Sequence, residues 1–147
     1  MPPNGRSGAE TIRKCIQLIE VLARAHEDLG VSEIGSRVDM PKATVHRMLT
    51  MLMEENYVDQ DPGSRKYRLG LRFLHLGHAV RSRLDVRAQA LPVMRQLQAA
   101  SLETITLVKR LGHQRVVVEV VESPQPIREY MRVGEILPIY AGAAGKV

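Results

Sequence analysis

The sequence has no tryptophan, a single phenylalanine and a single cysteine, Cys15, in 147 residues. One cysteine cannot close a disulfide within the chain, and so few large rings argue against a surface that stacks the bases of single strands. No stretch reads as a secretory leader, a membrane-spanning segment or a lipidation signal. A reducing cytoplasm is therefore the expected setting, and no membrane partner is expected. There is no GxSxG elbow, and no Ser, His and acidic residue fall into a recognisable catalytic arrangement, so no catalytic residue is expected. The closing AGAAGKV has two residues between Gly142 and Gly145 where a phosphate-binding loop needs four, and Val147 where it needs Ser or Thr, so it reads as the start of a helix instead. His75 and His78 form an HxxH pair, but only Asp85 lies nearby to extend it, so neither a metal nor another cofactor is expected.

What is present suits a folded chain with a polyanionic partner. Hydrophobic residues make up 44%, enough to build a core, and 21 Lys+Arg against 16 Asp+Glu leave a net charge of +5. Met1 to Arg6 is Pro/Gly/Asn-rich, and a flexible arm is expected over residues 1–7. Ser7 and Glu10 have capping-box spacing, after which Ile12, Cys15, Ile16, Ile19, Leu22 and Ala23 repeat at three and four residues, which predicts a core helix ending by about Gly30. A shorter helix is predicted over Val31 to Val38 with Ile34 and Val38 inward, then a turn at Asp39 and Met40.

The most informative run is Met40 to Leu52, MPKATVHRMLTML. Pro41 is pre-set for a first helical position, and Val45, Met48, Leu49 and Leu52 define one buried face. Lys42, Thr44, His46 and Arg47 are left to point outward from the first turns. Each carries donors able to meet a phosphate oxygen or a base edge, and Thr44 could also touch a thymine methyl. Two helices joined by so short a turn form a helix-turn-helix. The second helix should close near Asn56, which tolerates the left-handed conformation. Tyr57, Val58 and Tyr67, Leu69 then flank the turn residues Asp61 to Ser64, predicting a two-stranded hairpin. From Pro62 to Arg72 the segment carries Arg65, Lys66, Arg68 and Arg72 and no acid, a charge suited to a nucleic-acid backbone. Helices followed by a basic hairpin make a winged helix. On an isolated helix these polar residues could equally be a solvated face, and a polar hairpin tip is common, so turn, helix and wing carry the reading together.

The spans VSEIGSRVDMPKATVHRMLTMLMEENYVDQD and KYRLGLRFLHLG resemble the winged-helix domain of IclR-type transcriptional regulators. ALPVMRQLQAASLETITLVKR, VVVEVVESPQPIR and VGEILPIYAGAAGKV resemble the opening of that family's effector-binding domain. The resemblance implies that Thr44, His46 and Arg47 occupy recognition positions, that the partner is a double-stranded DNA operator, and that a linker helix pairs subunits into a homodimer or higher oligomer. It also implies that a small-molecule effector acts through the second domain in full-length members. Because the family's effector domain continues further, that domain is expected to be incomplete here, lacking most of its ligand pocket, and metabolite sensing to be impaired. Three departures stand out: Gly30 where a capping Ser or Thr is usual, Gly35 where Ala is usual, and Asp39 where the turn usually has Gly. Together they soften the motif without abolishing it: Gly within a helix costs about 1 kcal/mol against Ala, and Asp takes a left-handed turn less cheaply than Gly.

Leu71, Leu74, Val80 and Leu84 suggest the linker helix, and Pro92 either kinks its continuation or starts another. Beyond it, Thr104 to Val108 and the valine run Val116 to Val121 read as strands turning near Gly112, with a third strand expected from Ile127 to Val133. The expected class is α+β: a winged helix-turn-helix over 8–72, a linker helix region over 73–91, and a truncated α/β segment of profilin or GAF-like type over 92–147. The expected function is sequence-specific regulation of transcription. The competing readings are a winged-helix protein-interaction module and a non-catalytic metabolite-binding protein.

Overall fold

The structure, a computed structural model, describes residues 4–128 and 130–140. The expected helix start at 141–147 and the first three residues of the expected arm lie outside that range. The chain divides into two compact units, one ending at His78 and the other beginning at Ala79.

In the first unit, α1 (Asn4–Arg24), α2 (Val31–Val38) and α3 (Lys42–Glu54) precede a hairpin of β1 (Val58–Gln60) and β2 (Tyr67–Leu69). Leu18, Ile34, Val45, Leu49 and Val58 are its most deeply buried side chains. Two expectations for α1 are corrected. The helix already begins at Asn4, so residues 4–7 are not an arm and the helix does not start at Ser7. The apolar stripe also runs differently: Leu22 is buried as expected, but its buried companion is Leu18, whereas Ile12 and Ile16 are 63% and 52% exposed. The sequence carries two overlapping stripes at helical spacing, and α2 and β2 pack against the one through Leu18 and Leu22.

The junction of α2 and α3 follows from backbone chemistry. The Gly30 N–H donates to the Glu33 carboxylate at 2.7 Å, so half of a capping box survives although Gly30 has no side chain to complete it. At the other end Asp39 takes the left-handed conformation (φ 51°, ψ 55°) and its N–H donates to the Gly35 carbonyl. A non-glycine residue is held there at a cost, so Asp39→Gly is expected to raise unfolding stability by about 0.5–1 kcal/mol, read as a higher urea midpoint at unchanged slope. Gly35, in contrast, is not the weakness that propensity suggests. A β-carbon there would stand 2.9 Å from the Met40 carbonyl oxygen, and the Met40 N–H donates to the Gly35 carbonyl at 3.0 Å. The helix and its turn approach too closely for alanine. Pro41 lies one position earlier than expected: it is the extended N-cap (φ −58°, ψ 139°), and its carbonyl accepts from the N–H groups of Thr44 and Val45.

The α3 helix closes through Glu55 and Asn56, the latter at φ 62°. The hairpin pairs Val58 with Leu69, Asp59 with Arg68 and Gln60 with Tyr67. It is tied to the helices by a reciprocal bridge, Leu29 N–H to Tyr67 O at 3.0 Å and Tyr67 N–H to Leu29 O at 2.8 Å. In its turn, the Ser64 N–H and hydroxyl both donate to Asp61, which holds that carboxyl below the usual carboxylate range. Helix α4 (Arg72–Ser82) follows, and the division between the units falls within it. It buries no side chain fully, leaving Leu71 just before it, Leu74 and Val80 exposed.

The second unit contains α5 (Asp85–Ser101), with Pro92 inside a continuous helix, and an antiparallel sheet ordered β3 (Ile105–Leu111), β4 (Gln114–Val121), β5 (Ile136–Pro138). The third strand is therefore not at Ile127 to Val133. The prolines at 124 and 126 leave the described part of that stretch without a ladder, and pairing resumes at Ile136 opposite Val116. The β3–β4 register breaks between Leu107 and Val108, which pair with Glu119 and Val117, so Val118 is an extra residue in β4. Glu119 is buried and receives Arg81 Nη2 at 2.7 Å together with Arg87 Nε. Burial alone would raise its carboxyl, but the hydrogen bonds from Arg81, Arg87 and the Val120 N–H together outweigh it and hold the group below its ordinary range.

Candidate nucleic-acid interface

The α3 helix is seated through Val45 and Leu49, both fully buried, with Met48 and Leu52 half-buried beside them. Successive residues advance by about 100° around a helix, so the direction opposite this seat is centred on Ala43, Arg47, Thr50 and Glu54. All four are exposed. Lys42 and His46 are exposed on one flank of that face, while Thr44 is half-buried on the other. Lys42, His46 and Arg47 thus share the outward surface, and Thr44 stands at its margin. Ala43 and Thr50 were missed in the sequence because neither is charged, although their spacing of seven residues is two helical turns. Thr50 also returns its hydroxyl to the His46 carbonyl at 3.0 Å, which fixes its rotamer on this face.

The wing cations differ from one another. Arg65 is exposed at the turn, in a left-handed conformation (φ 59°), and its N–H donates to the Asp61 carbonyl. Lys66 is half-buried and lines a surface pocket of mixed charge, with Glu27, Asp28 and Glu33 beside Arg24 and Arg37. Arg68 donates from Nη1 to Asp28 at 3.1 Å, bracing β2 against the loop before α2. Its side chain is half exposed. On the wing, Arg65 is exposed at the tip, whereas Arg68, nearer the body, is partly engaged by a carboxylate.

The two units match two models of one family: the IclR helix-turn-helix domain over residues 11–62 and the bacterial transcriptional regulator IclR C-terminal domain over residues 78–147. The chain belongs to the IclR family of transcriptional regulators. Among its curated relatives, the HTH-type transcriptional regulator KipR of Bacillus subtilis (strain 168) is 37% identical over 137 residues, covering 93% of this chain and 54% of KipR. The HTH-type transcriptional repressor AllR of Escherichia coli (strain K12) is 30% identical over 144 residues, covering 98% of this chain and 53% of AllR. The IclR transcriptional regulator from Alicyclobacillus acidocaldarius superimposes with a TM-score of 0.77 at 31% identity, over 93% of this chain and 56% of that one. The chain spans about half the length of the curated relatives it matches. The IclR fold accounts for both units: a winged helix-turn-helix followed by an α/β segment. Among the described residues no helix is long and apolar enough to cross a membrane, and no cluster of three or more His, Cys, Asp or Glu side chains could hold a metal.

Proposed function

We propose that this IclR-family chain binds double-stranded DNA sequence-specifically and regulates transcription from the bound site. The observation that carries the reading is the seating of α3: two fully buried side chains, Val45 and Leu49, fix it to the body while Lys42, His46 and Arg47 face outward from its N-terminal half. A helix held in this way can enter a major groove with its polar side chains against base edges. Arg47, near the centre of the exposed face, reads a base. Lys42, Thr44 and His46 contact the adjoining edges and phosphates, Arg65 and Lys66 hold the backbone from the wing, and Arg68 braces the wing while contributing its free donors.

Winged helix-turn-helix (8–72), linker (73–91) and the first part of the effector-binding domain (92–147) are the working divisions of the chain. The exposed Leu71, Leu74 and Val80 make the linker the surface through which two copies pair. A two-fold pair would place two α3 helices one helical turn of DNA apart. The setting is the cytoplasm, where a small metabolite acts through the second domain.

Selection of duplexes from a random pool should return a site with two inverted half-sites. For that site, Arg47→Ala is expected to cost about 1–3 kcal/mol and to relax preference at one position, and affinity should fall steeply as salt rises. Binding that ignores both salt and sequence would favour a protein-interaction module instead.

A further inference from the structure

We propose that Arg115 and Arg110 form an oxyanion-binding site on the β3–β4 hairpin, suited to a small carboxylate or a phosphoryl group. Arg115 is 7% exposed, yet its Nε and Nη1 are buried without an acceptor. A guanidinium cannot escape such a position by losing its proton, and buried charges in folded proteins are paired. The obvious internal partner is out of reach. Glu119 lies in the same strand, but the extra residue at Val118 puts Val117 and Glu119 on opposite faces, and Arg115 shares the face of Val117. Glu119 is in any case already occupied by Arg81 and Arg87.

The neighbour that Arg115 does have is another cation. Arg110 is its direct partner across the ladder, so the two side chains leave the same face with β-carbons about 4.5–5.5 Å apart. Like charges placed directly opposite are unfavourable unless something negative lies between them. Arg110 is exposed and uses its Nε on the Gly112 carbonyl at 2.9 Å, which fixes its stem and leaves its terminal nitrogens available. On the other side Arg115 faces Leu137 of β5, an apolar neighbour that strengthens any charge-assisted hydrogen bond made there. Rotation of the Arg115 guanidinium toward Arg110 would exchange two unmade hydrogen bonds for a shared oxyanion held by a pair of forks.

The test uses the full chain without DNA and follows the arginine Nε–H resonances by NMR, with the Arg115 signal assigned from its loss in Arg115→Lys. Inorganic phosphate and acetate are titrated separately against chloride at matched ionic strength. A saturable shift of the Arg115 signal with either oxyanion, weakened about tenfold in Arg110→Gln, is the expected result, since a charge-assisted hydrogen bond confers about that factor. The tighter of the two anions identifies the ligand group as phosphoryl or carboxylate. The proposal is overturned if the signal moves equally with chloride, if neither oxyanion saturates it, or if Arg110→Gln leaves the titration unchanged. The exposed Arg110 variant keeps the test open should a change at buried Arg115 prevent folding.

Discussion

Gly70→Ala is expected to destabilise the winged-helix unit by about 3 kcal/mol or more, the upper end of the cost of forcing atoms into a packed site. A β-carbon at Gly70 would stand 2.3 Å from the Asn56 carbonyl oxygen and 3.0 Å from the carbonyl carbons of Asn56 and Tyr57. These are backbone atoms, so no side chain can rotate away. The surroundings are pinned as well: the Gly70 N–H donates to the Tyr57 carbonyl at 2.8 Å, and the Arg72 N–H reaches the Asn56 carbonyl at 3.4 Å. Relief would require prising the end of β2 away from the residues that close α3, and with them the Tyr57–Phe73 edge-to-face contact at 5.3 Å. Urea unfolding, with hydrogen exchange at the amides of α3 and β1 as the local readout, measures the effect. Amides protected as in the parent protein would refute the close approach.

Glu119→Ala is expected to cost about 3 kcal/mol, the lower end of the range for removing one member of a buried ion pair, because Arg81 and Arg87 keep 40% and 34% side-chain exposure. The loss has two parts. Two guanidinium groups lose their shared acceptor, and Arg81 Nε is already buried without a partner. The pH dependence has a definite sign. Because the folded state holds the Glu119 carboxyl below its ordinary range, its contribution is fully present above that range and is lost as pH falls through the depressed folded value. Parent protein and variant should therefore differ most near neutrality and converge in acid. Urea melts of both at neutral and acidic pH test this, and a gap that stays constant on acidification would rule the linkage out.

Much of the first unit was legible because its signals are local. Asp39 and Asn56 could be read as turn formers from their side chains, Val31 to Val38 from its period, and Val45 with Leu49 from spacing alone. What escaped depends on contacts distant in sequence. Nothing in α1 by itself says whether Ile12 and Ile16 or Leu18 and Leu22 will meet a partner. The need for Gly35 and Gly70 is set by carbonyl groups on other segments, so propensity misjudged the first and gave no warning of the second. The candidate site was read for charged groups and thus passed over Ala43 and Thr50, which only the direction of the seated helix brings to the middle of the exposed face. In the second unit, prolines 124 and 126 marked a break, but their effect on the following strand was underestimated.

Val118 has one more effect. In an uninterrupted strand, residues 115 and 119, four apart, would lie on the same side, and a base and an acid so placed could cancel each other. The single inserted residue changes odd to even along β4 and leaves one sheet surface with a surplus cation while the other holds a neutralised acid. A strand of otherwise ordinary composition thereby becomes electrically two-sided, and its capacity to attract an external anion depends on parity as much as on residue type.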